Sequence, residues 1–551
     1  MDRRQLLPAA MAALALASGA AAAALENPIV FVRQRPVETT FATIADIFGN
    51  FTSYDPREGQ PVGGGLYRLD PDGSVHALVE GRRIAVRDPE ITWDGREVLF
   101  AMKKRGRGRW QVYRIGVDGR GLEKVSLFSQ FNDWDPAELP DGRILFLSDR
   151  LRWADGYENL PEGQLFVMDA DGLGIEPLAI NPSGVFNPLL GSSGRVYFTQ
   201  WDFHDCRRRI DQGNCSLDVN RFLLWETALD GSREGHPTFG SHSLFDFTGG
   251  HVQVREDPRR RGTFFATLAD EFFTFGSGTL VWMRPRKNGD RDRVRAITED
   301  VFRVGPRNRA GRYRDPYPLA SGELVAAWAA GPVYDSDDLP TPDFNLVLVD
   351  RATGAREPLL DDPSAWLLQP VEAAARTPPT PDRGTAIPGF DYAVINARDV
   401  THRHRNCSRV TNGDCQPRVR PGEAAAVRIF EVDRRPNFYR DFRRYDDPRQ
   451  RLLGSAPVQP DGSFAAAVPA QRALIWKLVD EAGDVLVEER FWSELAPGEI
   501  RTCNGCHSKH NGRELRRPNS ALLQPVNLTG RVVDADGNGR VDLLEAAGKF
   551  D

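Results

Sequence analysis

The sequence predicts a mostly β protein: a six-bladed β-propeller, then a small β-sandwich, then a short C-terminal segment that carries two ligand-binding motifs. Three observations predict this class. Short apolar strands alternate with Asp-Gly or Asn-Gly turns throughout residues 27–375, which is typical of a repeated β architecture. A Pro/Thr-rich linker follows at residues 377–381, and strand-like runs resume after this linker.

Residues 1–24 are predicted to be an export signal. Arg3 and Arg4 precede a Leu/Ala run, and small residues from Ala20 to Ala24 come before Leu25. No later segment is apolar over the length that crosses a membrane, so no transmembrane anchor is expected. The protein is therefore expected in the periplasm or outside the cell.

Residues 27–375 are predicted to form the propeller because two families of hairpins interleave, and two hairpins make one four-stranded blade. The turns of the first family are Asp72-Gly73, Asp118-Gly119, Asp171-Gly172, Asp230-Gly231, Asn288-Gly289 and Thr353-Gly354. Those of the second are at Gly95, Gly142, Gly194, Gly262 and Gly322.

The second family has one member fewer than the first, which indicates circular closure. Residues 29–32 are expected to pair with residues 367–370, so that one blade is built from both ends of the domain. The Asp-Pro pairs that begin at Asp88, Asp135 and Asp315 resemble the repeats of TolB-like propellers. Six blades are therefore expected.

Residues 376–495 are predicted to form the β-sandwich. Strand-like runs lie at residues 392–395, 425–430, 464–468, 474–479 and 485–489. Asp461-Gly462 and Ala482-Gly483 supply turns between the later runs, which is typical of a small antiparallel domain.

The C-terminal segment, residues 496–551, contains Cys503, Cys506 and His507 in a C-x-x-C-H motif. This spacing lets two thiols bind the vinyl groups of one haem c while the imidazole ligates the iron. A short-range disulfide, a thioredoxin-like dithiol and half of a zinc site are the alternatives. Only His510 is near enough to extend a zinc site, and no thioredoxin-like pattern surrounds the motif.

The ligand on the other face of the iron is not identified by the motif. His402 and His404 alternate along one run, which would place both imidazoles on the same side of a strand. They are candidate distal ligands, with ordinary polar loop residues as the alternative. On a helix His510 would lie on the same face as His507, so it is a poor distal candidate.

The remaining four cysteines fall into two close pairs. Cys206 with Cys215 and Cys407 with Cys415 are expected to form short-loop disulfides, as suits an exported protein. These bridges are expected to stabilise loops without taking part in chemistry.

Residues 534–545 match the calcium-binding loop of an EF-hand, with an acidic surface turn as the alternative. Gly539 permits the sharp turn. The extended segment before it indicates a lone loop that holds the tail in place. The expected Ca²⁺ ligands are Asp534, Asp536, Asn538, Arg540 through its carbonyl, Asp542 and Glu545.

The segment from Gly454 to Phe464, with Val468-Pro469, Leu478-Val479-Asp480 and Pro497-Gly498-Glu499 before the C-x-x-C-H motif, resembles the middle domain of hydrazine synthase α-subunit-like proteins. Those proteins combine a propeller, such a domain and C-terminal c-type haem. The resemblance implies haem attachment to the motif's cysteines and proximal ligation by its histidine. The family's α subunits carry two such motifs within a multihaem complex, whereas this chain has one, so hydrazine synthesis is not expected.

The sequence therefore predicts a periplasmic c-type haem protein of redox chemistry, either an electron carrier or a haem-dependent oxidoreductase. Its expected partner is a redox protein, such as another cytochrome. The alternative is a binding or scaffold protein whose haem has a structural or relay role. A formal charge of −6 without a basic tract argues against nucleic acid as a partner. No G-x-S-x-G, Walker or H-E-x-x-H motif competes, so catalytic side chains stay unknown.

Overall fold

The computed structural model describes residues 25–36, 63–104, 108–153, 161–204, 219–233, 238–239, 250–269, 275–285, 293–301, 310–333, 339–402, 419–433, 449–489, 492–505 and 517–530. Regular structure in these residues is almost entirely β-strand, with short 3-10 helices at Glu299–Val301 and Ser520–Leu523. No helix within these ranges is long and apolar enough to cross a membrane.

Six blades form the predicted propeller, the last two joined in one eight-stranded sheet, and the innermost strands of successive blades contact one another around a closed ring. Blade 1 contains β1 (Ile29–Gln34), β2 (Gly64–Leu69) and β3 (Val75–Gly81); blade 2 contains β4 (Ile84–Ile91), β5 (Glu97–Lys104), β6 (Gln111–Gly116) and β7 (Glu123–Lys124); blade 3 contains β8 (Asp133–Glu138), β9 (Ile144–Ser148), β10 (Gln164–Met168) and β11 (Glu176–Ala179). Blade 4 contains β12 (Val185–Leu190), β13 (Val196–His204) and β14 (Val219–Thr227); blade 5 contains β15 (Gly250–Glu256), β16 (Phe264–Ala269), β17 (Gly278–Arg284) and β18 (Arg293–Ala296); blade 6 contains β19 (Arg312–Pro318), β20 (Leu324–Ala329), β21 (Asn345–Val349) and β22 (Arg356–Leu360).

The two ends of the propeller pair with each other. Strand β23 (Trp366–Glu372) runs antiparallel to β1, with Trp366 opposite Gln34 and Glu372 opposite Ile29. It becomes the innermost strand of blade 1, in the order β23-β1-β2-β3. The closure expected from the unequal hairpin families is therefore confirmed.

The innermost strands carry a ring of polar residues at equivalent positions. Each of these residues has a left-handed φ between 48° and 55°. At five of the six blade junctions, the backbone N–H of the ring residue donates to the side chain of the ring residue in the preceding blade, at 2.6–3.3 Å. The Asp-Pro pairs noted in the sequence supply three ring members, and the others were not recognised as equivalent. The ring consists of Asp88, Asp135, Asn187, Gln253, Asp315 and Gln369.

The ring makes a pH-dependent contribution to stability at Asp135. Burial and the nearby Asp88 carboxylate raise the pKa of Asp135 above that of an unfolded aspartate. The folded chain then holds a proton that the unfolded chain has lost, so stability is greatest below the unfolded pKa and falls as pH rises. Asp135→Asn keeps an acceptor for the Asn187 N–H, 3.1 Å away, and cannot ionise.

We expect the Asp135→Asn variant to gain stability relative to the wild type between pH 4 and pH 8, by roughly 1–3 kcal/mol. Urea unfolding at a series of pH values measures this. Asp141→Asn, on an exposed turn, is the control and should leave the pH trend unchanged. Parallel pH profiles for wild type and Asp135→Asn would contradict the assignment.

Two four-stranded sheets form the predicted sandwich around a shared apolar core. One has the order β30-β24-β27-β31, and its outer strands β30 and β31 run parallel to their neighbours. This sheet therefore includes two strands, β30 and β31, that follow the domain boundary predicted between residues 495 and 496. The strands are β24 (Tyr392–Ala397), β25 (Ala426–Asp433), β26 (Arg449–Pro457), β27 (Phe464–Pro469), β28 (Leu474–Val479), β29 (Val485–Glu488), β30 (Ile500–Cys503) and β31 (Val526–Asn527).

Candidate functional site

The C-x-x-C-H motif begins on an edge strand of the sandwich. Strand β30 pairs with β24, which places Cys503 opposite Ala397, and the Arg398 N–H donates to the Cys503 carbonyl at 3.0 Å. The Cys503 side chain packs against the sandwich core, and burial raises the pKa of its thiol. The sheet therefore holds the first cysteine of the motif.

The next part of the motif lies against the loop that follows β24. A Cβ added to Gly505 would lie 2.4 Å from the Asp399 carbonyl oxygen, 2.5 Å from the His402 carbonyl oxygen and 2.8 Å from the His402 Cβ. Real side chains do not tolerate such distances, so a glycine is required for this close approach. The loop and the motif are in direct contact.

Asp399 holds both sides of the motif segment. Its carboxylate accepts hydrogen bonds from the Thr401 N–H at 2.9 Å and hydroxyl at 2.6 Å, and it forms an ion pair with Arg517. The chain therefore leaves the sheet beside Asp399 at Gly505 and returns to the same residue at Arg517.

Polar contacts fasten the returning chain to the sheet. The Asn519 side-chain amide donates to Asn396 at 2.7 Å, and the Asn396 amide donates to the Thr502 hydroxyl at 3.1 Å. The Ser520 N–H donates to the Asp461 carboxylate at 3.0 Å. Asn396, fully buried on β24, thus bridges the chain before the motif and the chain after it.

A buried charged group connects the motif strand to the propeller. Arg233 and Glu494 are each about 96% buried side chains whose charged atoms lie 3.4 Å apart. Glu494 also accepts the Ile180 N–H at 2.6 Å, and Arg501 on β30 donates to the Arg233 carbonyl at 3.2 Å. Burial raises the pKa of Glu494 to about 7. The sandwich is therefore fixed against blades 3 and 4.

Residues 441–508 match the hydrazine synthase alpha subunit middle domain. This stretch begins before β26 and ends directly after the C-x-x-C-H motif. In this domain the chain is similar to hydrazine synthase alpha subunits. The matched residues include β30, where the C-x-x-C-H motif begins, and Gly505, which lies against the loop after β24.

The proteins that this chain resembles are distant in sequence. Hydrazine synthase subunit alpha of Kuenenia stuttgartiensis is 21% identical over 516 residues, covering 79% of this chain and 61% of that protein. The solved hydrazine synthase of the same organism is 16% identical with a TM-score of 0.68, covering 90% of this chain and 71% of that chain. TolB from Acinetobacter baumannii is 13% identical with a TM-score of 0.39, covering 63% of this chain and 67% of that chain.

The structure describes some of the predicted site residues. Cys503 lies at the end of β30 opposite Ala397, and the backbone and Cβ of His402 lie against Gly505. Within the described ranges, no group of three or more His, Cys, Asp or Glu side chains is placed to hold a metal ion. The remaining site residues lie outside the described residues: Cys506, His507, His404, His510, the paired cysteines Cys206, Cys215, Cys407 and Cys415, and the calcium-loop residues Asp534, Asp536, Asn538, Arg540, Asp542 and Glu545.

Sequence reasoning missed the residues that hold the motif in place. The Asp399-Val400-Thr401 run carried a local signal, since an Asp two residues before a Thr often accepts from its N–H and hydroxyl. Arg517 and Asn396 carried no such signal, because their partners are more than a hundred residues away in the chain.

Gly505→Ala tests the contact between the motif and the loop. The new Cβ would push against two backbone carbonyls, so for the haem attachment that the motif predicts we expect the haem-to-protein ratio of the purified chain to fall several-fold. Absorbance of the purified protein measures this ratio. Gly81→Ala is the control, because its new Cβ would meet only the Ile84 side chain at 3.4 Å or more. An unchanged ratio in Gly505→Ala would show that the contact is not needed.

Proposed function

We propose that this chain is an exported c-type haem protein that acts in redox chemistry. The observation that carries the proposal is the C-x-x-C-H motif, whose first cysteine is positioned at the end of β30. Cys503 and Cys506 would hold the haem covalently and His507 would ligate the iron, which supplies one-electron chemistry when bound. The similarity of residues 441–508 to the hydrazine synthase alpha middle domain supports this assignment.

The residues around the motif hold its described part in one position. Gly505 leaves no side chain between the motif and the loop at residues 399–402, and the motif segment is held at both ends by Asp399. His402, on this loop, is the described candidate for the second side of the iron, and His404 is the other. The export signal of residues 1–24 supports a periplasmic or secreted location, where c-type haem is attached.

The proposal does not extend to hydrazine synthesis. The chain contains a single C-x-x-C-H motif and spans about three fifths of the curated relative it matches, 61%. That relative is named as a subunit, which supports a partner protein for this chain as well. A redox protein, such as another cytochrome, is the partner that the haem chemistry favours.

Optical spectra of the protein exported with a c-type haem maturation system test the proposal. Sharp α and β bands on reduction, unaffected by carbon monoxide, would indicate electron transfer with both axial positions filled by side chains. A carbon monoxide shift would indicate an open position and an oxidoreductase. A protein without covalent haem would refute the proposal and favour the binding or scaffold function.

We also propose that residues 534–545 bind one Ca²⁺ that orders the C-terminal tail. Glu545 would supply the bidentate ligand of the loop, so Glu545→Gln should weaken Ca²⁺ binding at least about tenfold. Calorimetric titration of the chelator-treated protein measures the affinity. Glu481→Gln, at an exposed turn, is the control. Equal Ca²⁺ affinities in wild type and Glu545→Gln would refute the site.

A further inference from the structure

A cavity of about 660 Å³ lies at one mouth of the propeller channel, away from the C-x-x-C-H motif. Residues 374–380, here called the strap, follow β23 and line this cavity. The strap contacts blade 2, where the Arg376 N–H donates to the Trp93 carbonyl at 2.8 Å. The chain just beyond the strap contacts blade 4, where the Asp382 N–H donates to the Gly194 carbonyl at 3.0 Å. The volume is within the usual range for small-molecule sites.

Two guanidinium groups share one carboxylate at the cavity wall. Arg376 on the strap lies 2.9 Å from one oxygen of Glu90, and Arg255 lies 3.3 Å from the other. The Arg376 guanidinium also stacks on the Trp93 ring, 5.0 Å from its centroid. Each guanidinium has five N–H donors, so both groups keep donors beyond those used by Glu90.

Tyr317 adds a buried hydroxyl to this wall. Its side chain is only 8% exposed and lines the cavity. Burial raises the pKa of Tyr317, so the hydroxyl stays protonated at neutral pH and can donate a hydrogen bond to a ligand. The Nε of Arg376 is buried without a hydrogen-bond partner among the described residues, which indicates a donor that a ligand would satisfy.

Glu138 provides the opposite charge. Its Oε2 accepts the Trp93 N–H at 2.8 Å, and its side chain lines the cavity. The carboxylate of Glu256, also on the wall, accepts the N–H groups of Ser192 at 2.5 Å and Gly262 at 2.7 Å. The wall therefore presents carboxylate acceptors and guanidinium donors on different side chains.

We infer that this cavity binds a small zwitterion with a carboxylate and an ammonium group, of the amino-acid class. Arg255 and Arg376 would receive the carboxylate, for which the planar guanidinium is the preferred partner. Glu138 would receive the ammonium group, and Leu189 and Pro318 would contact an apolar side chain. A purely anionic ligand would face the Glu138 carboxylate, and a purely cationic ligand would face two guanidinium groups.

Calorimetric titration of the full exported chain with L-leucine tests the inference. The two comparison probes are 4-methylpentanoate, which lacks the ammonium group, and 3-methylbutylamine, which lacks the carboxylate. We expect L-leucine to bind at least about tenfold more tightly than either probe. Equal affinities for the three compounds, or no heat of binding up to about 10 mM L-leucine, would overturn the inference.

Two variants locate the binding. Arg255→Gln should weaken L-leucine binding about tenfold, and Arg120→Gln, exposed on a propeller turn, should leave it unchanged. Tyr317→Phe keeps the ring and removes only the hydroxyl, so it should weaken binding about three- to tenfold without lowering the melting temperature. Unchanged affinity in both cavity variants would overturn the site. The haem spectrum should be identical in all variants, because the cavity is separate from the motif.

Discussion

Replacement of both motif cysteines, Cys503→Ser and Cys506→Ser, should reduce covalently bound haem to none. The motif supplies the two thiols that would form thioether bonds, and Cys503 is held at the end of β30 opposite Ala397. A serine hydroxyl does not add to a vinyl group under the conditions of haem attachment. Haem that survives denaturation and solvent extraction, measured as its reduced pyridine complex, gives the covalent fraction.

The control for this experiment is the pair Cys206→Ser and Cys215→Ser, which removes two cysteines that are expected to form a disulfide. It should keep a full complement of covalent haem. Covalent haem in the Cys503→Ser and Cys506→Ser protein would contradict the assignment of the motif. Loss of haem in both double variants would point to a general folding defect.

Trp366→Ala should lower the free energy of unfolding by about 3–5 kcal/mol. Trp366 is fully buried at the start of β23, the strand that closes the propeller. Its ring packs edge-on against Phe344 and Phe275, with centroids 5.3 and 5.7 Å away, and its Nε1 donates to the Pro342 carbonyl at 2.5 Å. The substitution leaves a cavity and an unsatisfied carbonyl where the two ends of the domain meet.

Chemical unfolding followed by circular dichroism measures this loss without relying on the fluorescence of the deleted tryptophan. Phe128→Ala is the control, because the Phe128 side chain is 41% exposed and should cost less than about 1 kcal/mol. A loss below that value for Trp366→Ala would show that this packing does not stabilise closure.

Much of the propeller could be predicted because its signals are local. Asp72-Gly73 and Asp118-Gly119 form tight turns with positive φ at the glycine, as the sequence indicates. Only part of the polar ring could be predicted from the sequence. Asp88, Asp135 and Asp315 precede prolines and form a recognisable repeat, whereas Gln253 occupies the same position without either the acid or the proline. The equivalence of that position comes from the backbone, which accepts different side chains.

The proposed haem site rests on a local pattern, whereas the residues that support it carry hardly any pattern. The C-x-x-C-H motif is contiguous, so it predicts the haem thiols and the proximal imidazole directly. The placement of β30 has no such pattern, because a parallel strand is joined to its neighbour by a long connection and not by a tight turn. The contacts of Asp399 with Gly505 and Arg517 depend on that placement.

The sequence by itself determined the strand-and-turn repeat, the closure of the propeller and the residues that predict haem and calcium binding. These properties follow from side-chain alternation, turn chemistry and short ligand spacings, which act over a few residues. Only the tertiary structure decided that the motif belongs to the sandwich sheet, that Arg233 and Glu494 join this sheet to the propeller, and that Arg255, Arg376 and Tyr317 meet in one cavity. Those contacts join residues separated by tens to hundreds of positions, and their energies come from burial and charge pairing that exist only in the folded chain.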